Sequence, residues 1–139
     1  MKLYVGCSLT GAPEAFVREV EKLKDDLRRD GHEVFDFLGL VAGTPKDVFE
    51  YDIRHCIADC DRFIALCDLP STGLGCEIIA ALFIYGKPTL ALAQKNASVT
   101  RLVVGIQSPI YRYQLWDTSR NRLQQVREFL ATEQLVIAA

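Results

Sequence analysis

The sequence is short of histidine, net charge and long apolar runs, and each shortage removes a class of function. Its two histidines, His32 and His55, stand far apart, and among the cysteines only Cys56 and Cys60 have the i, i+4 spacing that puts two ligands on one helical face. No zinc site is therefore expected, and neither is any other metal or cofactor. A formal charge of -2 gives no electrostatic case for nucleic acid as a partner. No stretch approaches the roughly 20 apolar residues needed to cross a bilayer. Met1-Lys2 leads straight into a strand instead of a signal sequence, so no membrane is expected and the cytoplasm is the expected location. Five cysteines is an odd number, and Cys7, Cys56, Cys60, Cys67 and Cys76 lie in apolar or site-like segments, which suits reduced thiols better than a disulfide framework. Linkers, repeats and low-complexity tracts are also missing. A chain of 139 residues then fits one domain, residues 1–139, large enough to bury a core without staples.

What is present centres on Cys67 to Pro88, CDLPSTGLGCEIIAALFIYGKP. The apolar run Arg62 to Leu66 enters a turn-rich Pro-Ser-Thr-Gly-Leu-Gly segment, and Ile78 to Tyr85 follows without a breaker until Gly86-Lys87-Pro88. This reads as strand, loop, helix and stop. Glu77 is the one acid in the helical part and is expected in its first turn, where free N–H groups and the helix dipole favour an anion. An ionised carboxylate held there serves either as a dipole partner or as a nucleophile. Gly73 and Gly75 leave room for a ligand beside the backbone, and Ser71 offers a hydroxyl to a phosphate.

Five strand-then-helix units run along the chain. Leu3 to Val5 is a short strand, Gly6 to Gly11 a small-residue loop, and Pro13 starts a helix whose Phe16, Val17, Val20, Leu23 and Leu27 share one face. Glu33 to Phe37 is the second strand, with His32 in the turn before it, and Gly39 to Lys46 is a loop. Asp47 to Asp59 is a helix with Phe49, Ile53, Cys56, Ile57 and Cys60 on one face, Asp52 at its margin and no evident partner for His55. Asp52 either points to water or leans into a cleft. Asp61 to Leu66 and Thr89 to Ala93 are the third and fourth strands. Asn96-Ala97-Ser98 is expected to cap a helix through Val104, Ile110 to Leu115 is the fifth strand, and Thr118 or Ser119 caps a last helix with Leu123, Val126 and Leu130 inward.

This alternation predicts an α/β, flavodoxin/Rossmann-like three-layer sandwich with a five-stranded parallel sheet in the order 2-1-3-4-5. Ligands bind such sheets beyond the carboxyl ends of the strands, at the switch point between strands 1 and 3. Both small-residue loops, Gly6 to Gly11 and Asp68 to Gly75, fall there.

Three stretches resemble the nucleoside 2-deoxyribosyltransferase superfamily, and within it the 2'-deoxynucleoside 5'-monophosphate N-hydrolases. They are Leu3-Tyr4-Val5-Gly6-Cys7-Ser8 with Gly11, Pro70-Ser71-Thr72-Gly73-Leu74-Gly75-Cys76-Glu77, and Tyr113-Gln114-Leu115-Trp116-Asp117. The deoxyribosyltransferases usually carry Asp where Ser71 stands, and the monophosphate-cleaving branch carries Ser. The resemblance implies Glu77 as nucleophile, Tyr4 hydrogen-bonding near it, and Ser8, Gly11, Ser71 and Gly73 around the nucleotide. It also implies a homodimer, with Thr100 standing where the branch has a phosphate-binding Ser from the neighbouring subunit. Asp52 matches the family's helical Asp only if the loop before Asp61 absorbs one inserted residue, and Thr10 replaces an Arg of the mammalian-type hydrolases.

Cleavage of an N-glycosidic bond builds positive charge at C1', which a carboxylate below the ring can stabilise and then trap as an ester. Glu77 is the expected nucleophile and Asp52 the candidate proton donor to the base. Hydrolysis of (deoxy)nucleoside 5'-monophosphates is thus the leading expectation. The alternatives are a nucleoside deoxyribosyltransferase that exchanges bases and a nucleotide-binding or sensing module without turnover. Cys7 as a catalytic thiolate is weaker, because no histidine stands near it in sequence.

Overall fold

The computed structural model describes residues 1–36 and 43–133. Phe37, the first half of the predicted loop Gly39 to Lys46 and the tail after Glu133 lie outside these residues. Five parallel strands, β1 (Lys2–Cys7), β2 (Glu33–Phe35), β3 (Arg62–Leu66), β4 (Thr89–Gln94) and β5 (Tyr111–Trp116), form one sheet in the order β2-β1-β3-β4-β5. This is the expected order. Helices α1 (Glu14–Arg29) and α5 (Ser119–Ala131) cover one face. The other carries α2 (Pro45–Tyr51), α3 (Thr72–Ile79) and the four-residue α4 (Arg101–Val104).

Because successive strand residues point to opposite faces, β1 feeds two cores at once. Leu3 and Val5 pack with Val20, Leu23 and Leu27 of α1 and with Val126 and Phe129 of α5. Tyr4 points the other way, toward Phe63, Leu74 and Ile78. Each fully buried Leu or Ile contributes about 1.5–3 kcal/mol, so both layers are held chiefly by aliphatic burial. Arg62 secures α5: its guanidinium donates to the carbonyls of Phe129 and Thr132 at the helix end and lies 5.1 Å over the Phe129 ring.

Three helix expectations change. First, α2 starts at Pro45, two residues before Asp47, because Thr44 and Asp47 form a reciprocal capping box with Pro at the first position. Beyond Tyr51 the helix widens into a π segment, Asp52–Ile57. A π turn holds one more residue than an α turn, and at about 100° per residue this rotates the upstream face relative to the downstream one. Phe49 accordingly stands half exposed, at 50%, while Asp52 is buried at 6%. The predicted apolar face was drawn with a single helical period, which the π turn breaks.

Second, α3 begins at Thr72, with the Ser71 hydroxyl accepting the Leu74 N–H at 3.1 Å. Glu77 is therefore the sixth helical residue and lies beyond the first turn. The glycines that signalled a loop are inside the helix, tolerated because Ser71 caps it and Leu74 and Ile78 are buried. A second π segment, Ala80–Ile84, follows. Third, the helix expected from Asn96 is only α4, capped by Thr100. Val99 and Thr100, β-branched residues that resist helix, precede it.

His55 also has a partner after all. Its Nδ1 lies 2.8 Å from Asp59 Oδ2, one turn along the helix, and its ring packs against Phe35 and Tyr51. All five cysteines are free thiols. Among the described residues no helix is long and apolar enough to cross a membrane.

Candidate active site

Glu77 is 9% exposed and lies against β1 near its carboxyl end. Alternation along that strand brings Tyr4 and Gly6 onto the Glu77 face. The buried Tyr4 hydroxyl, whose ring stacks on Phe63 at 5.5 Å, donates to Glu77 Oε1 at 3.5 Å. Gly6 is required by space: a Cβ there would meet Glu77 Oε2 at 2.6 Å and the Phe63 ring at 2.9 Å. The sequence places Gly6 in the loop after the first strand, but β1 runs through it to Cys7, and a glycine inside a strand is a signal of close approach. We expect Gly6→Ala to displace the Glu77 carboxylate and lower turnover by at least about tenfold. Steady-state kinetics beside a thermal unfolding curve separates that loss from a folding defect.

Asp52 comes from the π segment and shares the electrostatic environment of Glu77. Its Oδ1 is buried and has no hydrogen-bond partner within the chain. Burial pushes Asp52 up to about 6. Glu77 rises to about 8, first through burial and then through the Asp52 charge, with the Tyr4 hydrogen bond pulling the other way. The two values describe one coupled pair: Asp52 ionises beside a neutral Glu77, and Glu77 must then ionise against that charge. Glu77 is therefore not held ionised by a helix N-terminus, as its sequence position suggested. Burial and both carboxylates also raise the Tyr4 phenol, which stays a hydrogen-bond donor.

Ser71 and Thr100 lie elsewhere on the same face. With Leu69, Pro70, Gly75 and Ser98 they line a cavity of about 310 Å³ that opens between the start of α3 and the turn before α4. Glu77 is not among its lining residues. Ser71 Oγ accepts from Leu74 and keeps its own proton to donate, and Thr100 Oγ1 accepts from Leu102 N at 3.4 Å. At Gly73 a Cβ would meet only Ser71 Oγ, at 3.8 Å, and at Gly75 nothing within 4 Å, so both glycines border open space. Ser8, 8% exposed, and Gly11, with φ 69, belong to the β1–α1 loop, where Thr10 is exposed.

The structure thus brings Tyr4 and Glu77 into hydrogen-bond contact, with Asp52 buried within electrostatic reach of both, and separately Ser71 and Thr100. Cys7 is not part of either group. Its side chain packs on the α1 and α5 face, opposite Glu77, and burial pushes its thiol up to about 11. Among the described residues no group of three or more His, Cys, Asp or Glu side chains is arranged to hold a metal ion.

Sheet order and site together define a flavodoxin-like α/β domain with a buried carboxylate pair beside the switch point between β1 and β3. No family model and no curated protein matches the chain. Among solved structures it is similar in fold to the CMP N-glycosidase BcmB of Clostridium botulinum. That match has a TM-score of 0.75 at 22% identity over 93% of this chain and 99% of that one. It is similar also to a conserved protein of Enterococcus faecalis, with a TM-score of 0.59 at 14% identity over 91% of this chain and 97% of the other.

Proposed function

We propose that this protein is a nucleotide N-hydrolase of the nucleoside 2-deoxyribosyltransferase-like superfamily. It would cleave the N-glycosidic bond of (deoxy)nucleoside 5'-monophosphates to free base and sugar 5-phosphate. The observation that carries this reading is the buried Glu77–Asp52 pair at the switch point, with Tyr4 donating to Glu77. Its fold likeness to a protein whose name states CMP N-glycosidase activity supports the same class of reaction.

In this mechanism the C1'–N bond breaks with its electron pair leaving on the base, and a Glu77 oxygen bonds to C1'. The reactive arrangement of the singly protonated pair is the minor one, with the proton on Asp52 and Glu77 ionised, and that proton passes from Asp52 to a ring nitrogen of the departing base. Water then attacks C1', Asp52 takes the water's proton, and Glu77 is released with the sugar phosphate. Tyr4 fixes the rotamer of Glu77, and Gly6 leaves space for its second oxygen. Incubation with a panel of nucleoside and deoxynucleoside monophosphates, read by chromatography for free base, tests the proposal. Release from at least one substrate is expected, and no release from any rejects it. Adding a second free base separates the deoxyribosyltransferase alternative, which would yield an exchanged nucleoside. Nucleotide binding without release would identify a sensing module.

Ser71, Gly73 and Thr100 would hold the phosphate, with Ser8 and Gly11 beside the nucleotide. Hydroxyls and amide N–H groups would offset its repulsion from Glu77. A hydrogen bond to a charged group is worth about 1.5–3 kcal/mol, so Ser71→Ala is expected to weaken monophosphate affinity by at least about tenfold. Nucleoside affinity should stay nearly constant, and calorimetric titration of both ligands reads the ratio.

The homodimer, with Thr100 of the partner subunit contributing to the phosphate site, belongs to the same proposal. Ile79 and Phe83 in the second half of the α3 helix and its π extension, and Leu102 and Val104 on α4, stand 42–76% exposed, which suits burial against a second copy. We expect Phe83→Asp to turn a sedimenting dimer into a monomer. A wild type that sediments as a monomer rejects this part of the proposal.

A further inference from the structure

We propose that Asp68 is a positioning residue that holds the β3–α3 loop, and with it the Ser71 hydroxyl, against the carboxyl ends of β4 and β5. The inference rests on the assignment of Ser71 as a phosphate contact. Asp68 follows β3 by two residues. Its Oδ1 accepts the backbone N–H of Gln94 at 2.7 Å and the indole N–H of Trp116 at 2.9 Å. Gln94 and Trp116 end β4 and β5 and are register partners, so one carboxylate oxygen spans two adjacent strand ends.

The anchor reaches further through Trp116. Arg122 of α5, 2% exposed, lies 4.8 Å over the indole ring and donates to the Glu19 carbonyl of α1 at 3.1 Å. Asp68 therefore ties the loop to the α1 and α5 layer across the edge of the sheet. Its Oδ2 is buried without a hydrogen-bond partner, and burial raises the pKa of the carboxyl above its ordinary value although the Gln94 and Trp116 hydrogen bonds and the Arg122 charge pull the other way. A half-satisfied buried carboxylate is a costly way to staple a loop, and the cost is explained if the loop's position matters for something beyond folding. Only Leu69 and Pro70 separate Asp68 from Ser71. Proline fixes its own φ, which removes one of the few backbone torsions that could absorb a shift at Asp68. Ser71 caps α3 in turn, and its Oγ placement sets both the cavity wall and the Leu74 amide.

Two variants test this. Asp68→Ala removes the anchor, and Trp116→Phe removes one donor while keeping an aromatic ring beneath Arg122. Kinetics on the monophosphate cleaved fastest and on its unphosphorylated nucleoside should show KM for the monophosphate raised by at least about tenfold in Asp68→Ala, with kcat held within about threefold. The nucleoside constants should not move, and Trp116→Phe should shift KM in the same direction by less. Equal changes for both substrates, or no change, overturn the inference. Amide exchange without ligand is the independent arm: the Leu74 N–H should exchange at least about tenfold faster in Asp68→Ala at temperatures well below its unfolding transition. Unaltered exchange overturns the positioning role whatever the protein catalyses. Faster exchange in a protein that releases no base rejects the hydrolase alone.

Discussion

Glu77→Gln is expected to lower base release by at least about 10⁴-fold while nucleotide affinity stays within about threefold of wild type. Glutamine keeps the volume and an oxygen that accepts from Tyr4, so the site retains its shape. What disappears is the proposed nucleophile and, with it, the negative charge proposed to meet the developing cation at C1'. Single-turnover assays beside calorimetric binding read the two quantities separately. Near wild-type turnover would remove Glu77 from the chemistry.

The same variant carries a stability signature. The folded-state pKa of Glu77, about 8, lies above its ordinary value of 4.5. Its contribution to stability is therefore fully present below about pH 4.5 and lost as pH rises through about 8. Glutamine cannot ionise and loses nothing across that window. The variant's melting temperature should exceed that of wild type by about 5 °C or more near pH 9, and the gap should close on acidification. Thermal scans across pH check the sign, and a gap that widens toward acid would contradict the burial of this carboxylate.

Asp52→Asn is the second large effect, an expected loss of about 10²–10³-fold in kcat. The wild-type pair holds one proton between about 6 and about 8, with Asp52 ionising first in the free protein and Glu77 second. In the proposed mechanism the singly protonated pair is the competent form, so kcat/KM should follow a bell with limbs near those values. Asparagine cannot supply the proton, and it also removes the charge that raises Glu77. The variant should show only a rising limb, moved below about 8 yet above 4.5 because burial remains. Rates at substrate well below KM across pH make the comparison. A full bell of wild-type height in the variant would exclude Asp52 from proton transfer.

Much of the site was legible because its signals are local. Glu77 stands out as the single acid in an apolar helix and Ser71 and the glycines as turn chemistry beside it, whereas Tyr4 is singled out only through the family resemblance. Errors arose where a local rule met a longer-range demand. Gly73 and Gly75 read as loop, yet the capped helix runs through them because Leu74 and Ile78 have a core to enter. Asp52 sat at the margin of a face drawn with α periodicity, and the π segment turned it inward as Phe49 turned out. His55 seemed unpartnered, although Asp59 lay one turn away.

Periodicity, caps and breakers act within a few residues, so the primary structure was enough to set five strands, their intervening helices, the sheet order and the crevice where two loops converge. Which groups touch inside that crevice is a different kind of fact. Tyr4 and Glu77 are 73 positions apart in the chain, and only the pairing of β1 with β3 and the docking of α3 make them neighbours. The raised pKa values of Glu77 and Asp52, and the need for glycine at position 6, follow from burial and close approach, which come into being only when the layers pack.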